Sequence, residues 1–239
     1  MEGMNIVLWV NDISPSTQGE GKYMGTSIVI LRMMLCNLEC SASRGGFDCD
    51  TYYTWDKNRL AEGRKLTVEE TVNEVNKYMS PERNTIMLTG GEPLIWQKNE
   101  EFVEVLKKLK ELGWKIHLET NGTQKLEIQE LMDFIAISPK QTQYKSYYNN
   151  EIVQSYFTVP HIWKFVIRTR ENVTDAIEFL LIHKVPTSDE IFLMPEGVTS
   201  EQLLSSIKKF INPNIILFPR NKYNNIYISN RRQITEGFK

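Results

Sequence analysis

Short apolar runs alternate with helix-patterned segments along nearly the whole chain, and this alternation limits the fold more than any other feature. Ile6–Val10, Ser27–Met33, Thr85–Thr89, Lys115–Glu119, Phe134–Ile137, Trp163–Arg168, Glu190–Met194, Ile215–Phe218 and Ile226–Ile228 have the length and β-branched content of strands. Between them, Thr67-Val68-Glu69-Glu70 is a capping-box pattern that opens a helix to about Met79, where Ser80-Pro81 stops it. Phe102, Leu106 and Leu109 keep helical spacing up to Gly113, which suits the position just past a helix end. Leu126–Met132, Asn149–Phe157, Val173–His183 and Thr199–Ile211 are further expected helices, the last opened by Thr-x-x-Gln. Serial units of this kind build a mostly parallel sheet covered by helices. Their number exceeds a flavodoxin-type sheet and falls short of an eight-fold barrel. The expected fold is therefore α/β, a partial (β/α) barrel in one domain over residues 1–239. No internal repeat or linker interrupts it, and Arg59–Lys65 reads as a polar, basic surface loop.

Charge narrows the function classes. Lys+Arg is 28 and Asp+Glu is 30, and a net charge of −2 argues against a dedicated nucleic-acid binder. Tyr144, Tyr147 and Tyr148 beside Lys140 and Lys145 come nearest to a basic–aromatic pattern, and they read better as a surface loop or dimer contact. No apolar run reaches membrane-spanning length, and Met1–Ile6 lacks a basic region before an apolar core. The expectation is a cytoplasmic, reduced protein, which an odd number of cysteines also suits.

In such folds chemistry gathers at the C-terminal strand ends. Gly90-Gly91-Glu92-Pro93, Glu119-Thr120-Asn121-Gly122, Ser138-Pro139-Lys140 and Pro195-Glu196-Gly197 all fall there. All the cysteines, Cys36, Cys40 and Cys49, lie within fourteen residues in a C-x3-C-x8-C pattern. Three thiolates can hold three irons of a [4Fe–4S] cluster and leave the fourth open, whereas electron-transfer clusters use four. A Cys3His zinc site drawing on His117, His161 or His183 is an alternative, as are three unrelated buried cysteines.

Read together, the motifs are more specific. Gln18-Gly19-Glu20-Gly21, Arg32, Cys36-Asn37-Leu38-Glu39-Cys40, Cys49-Asp50-Thr51, Thr89-Gly90-Gly91-Glu92-Pro93-Leu94, Glu119-Thr120-Asn121-Gly122-Thr123 and Ser138-Pro139-Lys140 occur in that order. This set, spanning about Ile13 to Gly197, resembles the radical S-adenosylmethionine (SAM) superfamily. Within it, the chain looks like the branch that contracts the ring of 6-carboxy-5,6,7,8-tetrahydropterin on the queuosine pathway.

The resemblance implies a role for each motif. Cys36, Cys40 and Cys49 would bind the [4Fe–4S] cluster, whose open iron is chelated by SAM. Gly90, Gly91, Glu92, Glu119, Asn121, Ser138, Lys140, Met194 and Glu196 would line the SAM site. The plainer readings are a strand–helix turn at Gly90–Pro93, helix capping by Glu119, Asn121 and Ser138, and a strand stop at Met194–Glu196. Gln18, Gly19, Glu20 and Arg32 would bind substrate, a carboxylate accepting from the pyrimidine edge and a guanidinium meeting the substrate carboxylate. A tight turn and a strand-edge ion pair are their plainer readings. The Thr51 hydroxyl would contact Mg²⁺ bridging to that carboxylate, or simply belong to a turn. The implied reaction uses one electron, from a donor such as flavodoxin or ferredoxin, to cleave SAM. The resulting radical takes a hydrogen from C6 of the pterin, the ring contracts, and ammonia leaves. A homodimer is also implied. Other enzymes of the superfamily, such as glycyl-radical activases, and a non-catalytic zinc protein are the competing functions.

Three departures from the family pattern stand out. The superfamily spacing is commonly C-x3-C-x2-C, whereas here Ser41–Asp48 puts eight residues before the third cysteine, a loop that the Gly45-Gly46 pair would fold back. The residue before the last cysteine is Asp48 and not an aromatic, so adenine packing falls to Phe47. The C-terminal extension, about 212–239, has Pro219-Arg220-Asn221-Lys222 without the usual histidine, and Arg231-Arg232 stands for a basic turn.

Overall fold

The computed structural model describes residues 8–41, 47–140, 144–197, 199–219 and 222–229. Within them the strands are β1 (Leu8–Thr17), β2 (Ser27–Met33), β3 (Arg64–Leu66), β4 (Thr85–Gly90), β5 (Lys115–Thr120), β6 (Phe134–Ile137), β7 (His161–Ile167), β8 (Glu190–Pro195) and β9 (Ile226–Ile228). They form one sheet in the order β3-β1-β2-β4-β5-β6-β7-β8-β9. Every pairing from β2 to β9 is parallel, and β1 runs antiparallel to both of its neighbours.

The sheet is open but strongly curved. Its edges, β3 and β9, do not pair with each other. The hairpin between β1 and β2 nevertheless reaches the far end of the strand order. The Gly21 amide donates to the Ser229 hydroxyl at 3.1 Å, and Lys22 pairs with Glu190 at the start of β8. A flat sheet would hold these groups apart by the width of several strands. This is the expected partial barrel.

The period-two alternation of each strand decides its faces. Leu31, Leu88, Leu118, Ile135, Phe165 and Leu193 point to one side and pack in the main core. Helices α1 (Val68–Asn76), α2 (Glu100–Glu111), α3 (Asn150–Ser155) and α4 (Arg170–Ile182) contribute Val75, Leu106, Val153 and Phe179 to that core. The helix starts follow sequence chemistry. Thr67 and Glu70 form the capping box, and Asn99, Asn149 and Thr169 each accept an amide of the first turn. Gly113, at φ +91°, takes the left-handed position after α2. The opposite face, lined by Arg32, Thr89, Glu119, Phe134, Ile162 and Lys164, is concave and carries polar groups.

Several elements differ from the sequence reading. Ile215–Phe218 is not a strand: Ile215–Leu217 forms a 3-10 turn with Ile216 68% exposed, because β9 already occupies the open edge of β8. Leu126–Met132 contains only a 3-10 turn at Gln129–Leu131, since Leu126, Ile128, Leu131 and Met132 are all buried, which one helix face does not permit. The helix from Thr199, α5 (Ser200–Ser206), widens into a π-helical turn over Ile207–Ile211. β1 extends to Thr17 past a bulge between Val10 and Asp12. Pro15 is tolerated there because β3 covers only Leu8–Val10 and leaves the rest as an edge. Arg59–Lys65 runs into β3, where Arg64 pairs with Glu74 of α1 at 2.7 Å, so it is not simply a solvated loop. Ile6, Gly45-Gly46, Arg220, Asn221 and Arg231-Arg232 lie outside the described residues.

Candidate active site

The cysteine segment starts where β2 ends and is anchored on both flanks. Leu35, at φ +72°, turns the chain out of the strand immediately before Cys36. Its amide donates to the Thr54 carbonyl at 2.8 Å, and the Trp96 indole donates to the Met34 carbonyl at 3.0 Å. At the other flank the Thr51 hydroxyl donates to the Gly90 carbonyl at 3.0 Å and lies 3.5 Å from Cys49 Sγ. N–H donors face the sulfurs: Leu38 N is 3.4 Å from Cys36 Sγ, Asn121 Nδ2 is 3.9 Å from it, and Trp55 Nε1 is 3.4 Å from Cys49 Sγ.

Burial pushes the Cys36 thiol up to about 12, and the neighbouring Glu92, Cys40 and Cys49 charges add to the rise. Burial also raises Cys40, partly offset by Lys140. Burial of this kind disfavours the Cys36 and Cys40 thiolates unless a cation binds them and draws off the protons. An iron–sulfur cluster is a cation source this all-sulfur donor set fits. No three Cys, His, Asp or Glu side chains among the described residues group closely enough for a single metal ion. A cubane is wider than one ion and needs its thiolates further apart. The histidines are engaged elsewhere. His117 packs on Tyr23 and Phe134, His161 bonds to Val159 and Asp189, and His183 to Asn150. The structure thus brings no histidine to the cysteines.

The strand-end turns brace this segment. Glycine at 90 and 91 is required by backbone approach: a Cβ on Gly90, at φ +125°, would lie 2.2 Å from the Met33 carbonyl oxygen, and one on Gly91 would meet Leu35. Glu92 is fully buried and accepts from Leu94 N, Thr120 Oγ1 and Asn121 N at 2.7–3.0 Å. Burial still pushes its carboxyl up to about 7 against those bonds. Asn121 caps no helix. Its Nδ2 donates to Asn37 Oδ1 at 3.0 Å, tying β5 to the cysteine segment. Ser138 accepts from Lys140 Nζ at 2.8 Å. Tyr148 is buried, donates to the Asn121 carbonyl and accepts from the Lys140 amide, while Tyr144 accepts from the Glu39 amide. Tyr144 and Tyr148 therefore latch the site, in place of the expected surface loop; Tyr147 is exposed. Met194 is buried on β8, and Glu196 follows it with its amide on the Ile167 carbonyl. Phe47 is half-buried beside the exposed Asp48.

Below these turns, polar groups run across the concave face. Arg32 on β2 is in register with Thr89 on β4, and its guanidinium lies 6.0 Å from the Tyr53 ring centre. Thr89 Oγ1 donates to Glu119 Oε2 at 3.0 Å. Lys164 Nζ then contacts Glu119 Oε1 at 3.3 Å and Glu20 Oε2 at 3.0 Å. Lys164 is 8% exposed, and the two carboxylates hold its ammonium above the usual lysine range despite burial. The β1–β2 hairpin, with Gln18, Gly19 and Glu20, closes the floor from the N-terminal end of the strands. The Gly25 amide donates to the Gln18 carbonyl and the Gln18 amide to the Thr26 carbonyl, and the Tyr23 ring packs tilted on His117 and edge-on to Phe134.

Most of the expected site residues fall into two groups, while Phe47, Met194 and Glu196 are placed by their own segments and not by contacts with either. One surrounds the cysteines, and the other spans the chamber between hairpin and sheet. Lys164 and the Tyr23 floor were not anticipated. A lone lysine inside the apolar run His161–Ile167 is a usable signal, because a buried strand tolerates one only with partners.

The radical SAM superfamily model matches residues 36–209. The chain belongs to that superfamily, a class of enzymes that carry an iron–sulfur cluster and use SAM. Its relatives are more specific. A 7-carboxy-7-deazaguanine synthase of Hyperthermus butylicus is 30% identical over 207 residues, covering 84% of this chain and 81% of that protein. One from Pyrobaculum aerophilum is 31% identical over 201 residues, 81% of each. The crystal structure of QueE from Escherichia coli shares the fold, with a TM-score of 0.68 at 18% identity over 96% of this chain and 98% of that one. Within the superfamily this chain is a member of the 7-carboxy-7-deazaguanine synthase family.

Proposed function

We propose that this protein contracts 6-carboxy-5,6,7,8-tetrahydropterin to 7-carboxy-7-deazaguanine with loss of ammonia. The observation that carries the substrate reading is the polar line Glu20–Lys164–Glu119–Thr89 beside Arg32, set directly beneath the cysteine segment. A carboxylate at one end and a guanidinium at the other match a bicyclic heterocycle with N–H donors on its pyrimidine edge and a carboxylate on the opposite side.

Cys36, Cys40 and Cys49 would hold a [4Fe–4S] cluster, and Gly90, Gly91, Glu92, Glu119, Asn121, Ser138, Lys140, Met194 and Glu196 would surround SAM, with Phe47 against its adenine. Bound together, these groups supply one-electron cleavage of SAM and a radical able to abstract hydrogen. The protein's part is positional. Glu92 and Asn121 hold the cofactor-facing turns against the cysteine segment. Glu20, with Gln18 and Gly19, would orient the pyrimidine edge, and Arg32 would hold the carboxylate, with Mg²⁺ on Thr51 as its second contact. Exclusion of water follows from the hairpin floor with Tyr23, His117 and Phe134.

Among the described residues no helix is long and apolar enough to cross a membrane. We assign the protein to the cytoplasm, as one domain over the whole chain and a homodimer, reduced by a flavodoxin- or ferredoxin-type donor. Product formation from the pterin in an anaerobic assay tests this reading. If 5′-deoxyadenosine appears without deazaguanine, the radical chemistry stands and the substrate does not.

A further inference from the structure

We propose that Lys164 is a positioning residue that sets the geometry between the substrate-facing and cofactor-facing sides of the chamber, an inference that rests on the function proposed above. Lys164 is the ammonium that joins Glu20, on the hairpin, to Glu119, on β5. These carboxylates come from opposite ends of the strands, and their elements have no ladder between them. Without a cation between them these half-buried carboxylates would repel each other more than they would in water. The lysine is itself fixed. It lies on the concave face of the interior strand β7, 8% exposed, with its neighbours Trp163 and Phe165 locked in the core behind it. The Glu119 oxygen it does not touch accepts from Thr89, the register partner of Arg32. The chain of contacts thus leads from Glu20 to the strand pair that carries Arg32.

The consequence is specific. Lys164 holds Glu20 aimed into the chamber, so that its loss is felt in substrate affinity and not in the chemical step. It also holds Glu119, so SAM affinity should respond.

The experiment compares Lys164→Met, Lys164→Arg, Glu20→Gln and the Lys164→Met/Glu20→Gln double variant as reconstituted holoenzymes. Steady-state kinetics with 6-carboxytetrahydropterin are paired with equilibrium binding of SAM alone. Lys164→Met should raise the pterin KM about tenfold or more while kcat stays within about threefold. Lys164→Arg should recover most of that loss. In the Glu20→Gln background, Lys164→Met should add less than about twofold, since the partner through which it acts has lost its charge. SAM binding should weaken severalfold in Lys164→Met. A loss in kcat with KM unchanged, or an equal KM effect in both backgrounds, would overturn the proposal. If Lys164→Met does not fold, Lys164→Gln, which keeps an N–H donor without the charge, is read by the same criteria. Wild-type turnover tests the function itself. Should the wild type make no product, unchanged SAM affinity in the Lys164 variant would still refute the positioning role.

Discussion

The backbone at Gly91 passes so close to Leu35 that a Cβ there would lie 1.8 Å from the Leu35 carbonyl oxygen. Leu35 precedes Cys36, so the glycine pair that follows β4 is the seat on which the cysteine segment rests. Gly91 N and Glu92 N donate to the Met33 and Leu35 carbonyls at 3.1 and 2.8 Å, which fixes the contact from both sides. Gly91→Ala must push that seat away. We expect a stability loss of about 1–3 kcal/mol, the usual cost of overpacking. Iron uptake on reconstitution should fall further than stability does. Iron content and Tm, measured on the same preparations, check this; full iron uptake in the variant would contradict it.

Trp55 donates its indole N–H to Cys49 Sγ at 3.4 Å. Hydrogen bonds to a cluster's sulfurs stabilise the reduced, more negative state. Trp55→Phe keeps the ring and removes the donor, so the midpoint potential of the reconstituted cluster should drop. Redox titration followed by electron paramagnetic resonance reads this directly. An unchanged potential would mean the bond is not retained in the holoenzyme.

Arg32 occupies the concave face of β2 in register with Thr89, and Tyr53 is the aromatic ring near its guanidinium. Arg32→Ala should raise the pterin KM about tenfold or more, the scale of a lost charge-assisted pair. Iron content should not change, because Arg32 does not touch the cysteines' anchors. Equal affinity in variant and wild type would remove Arg32 from the substrate site.

His117 is buried beneath Tyr23, and desolvation holds its imidazole down at about 4. The folded state therefore keeps it neutral while the unfolded chain protonates it near its ordinary value. Between these two values the unfolded state binds more protons, so stability falls as pH drops through that window and levels off below it. The expected loss is about 2 kcal/mol on going from about pH 7.5 to about pH 5. Urea unfolding of the cluster-free chain at both pH values, with and without His117→Phe, measures it. If the variant shows the same pH dependence as the wild type, His117 is not its source.

Much of this was legible in the residues. The strand runs, the Thr67 capping box and the Gly113 helix end can be seen directly in the sequence because they depend on local chemistry. The cysteine, Gly-Gly-Glu and Glu-Thr-Asn-Gly motifs marked the right strand ends. Their detailed work was not visible. Gly90 and Gly91 read as lining the SAM site or as a strand–helix turn, and the structure adds that they admit the backbone of residues 33–35. Asn121 read as a SAM-site residue or, more plainly, a helix cap; it caps no helix, and its grip on Asn37 was not visible in the sequence. Lys164 gave only a weak sign, because its partners reach it through sheet curvature, which joins residues 144 positions apart. Ile215–Phe218 has strand composition, but the only free edge nearby was taken by Ile226–Ile228. Local pattern cannot report competition for an edge.

The central claim is the reaction, and one anaerobic assay tests it most directly. Reconstituted protein is supplied with SAM, a low-potential reductant, Mg²⁺ and 6-carboxytetrahydropterin, and products are read by mass spectrometry. The expected product is 7-carboxy-7-deazaguanine, lost entirely in Cys36→Ala. Protein that carries its full complement of iron and sulfide yet yields no 7-carboxy-7-deazaguanine would contradict it.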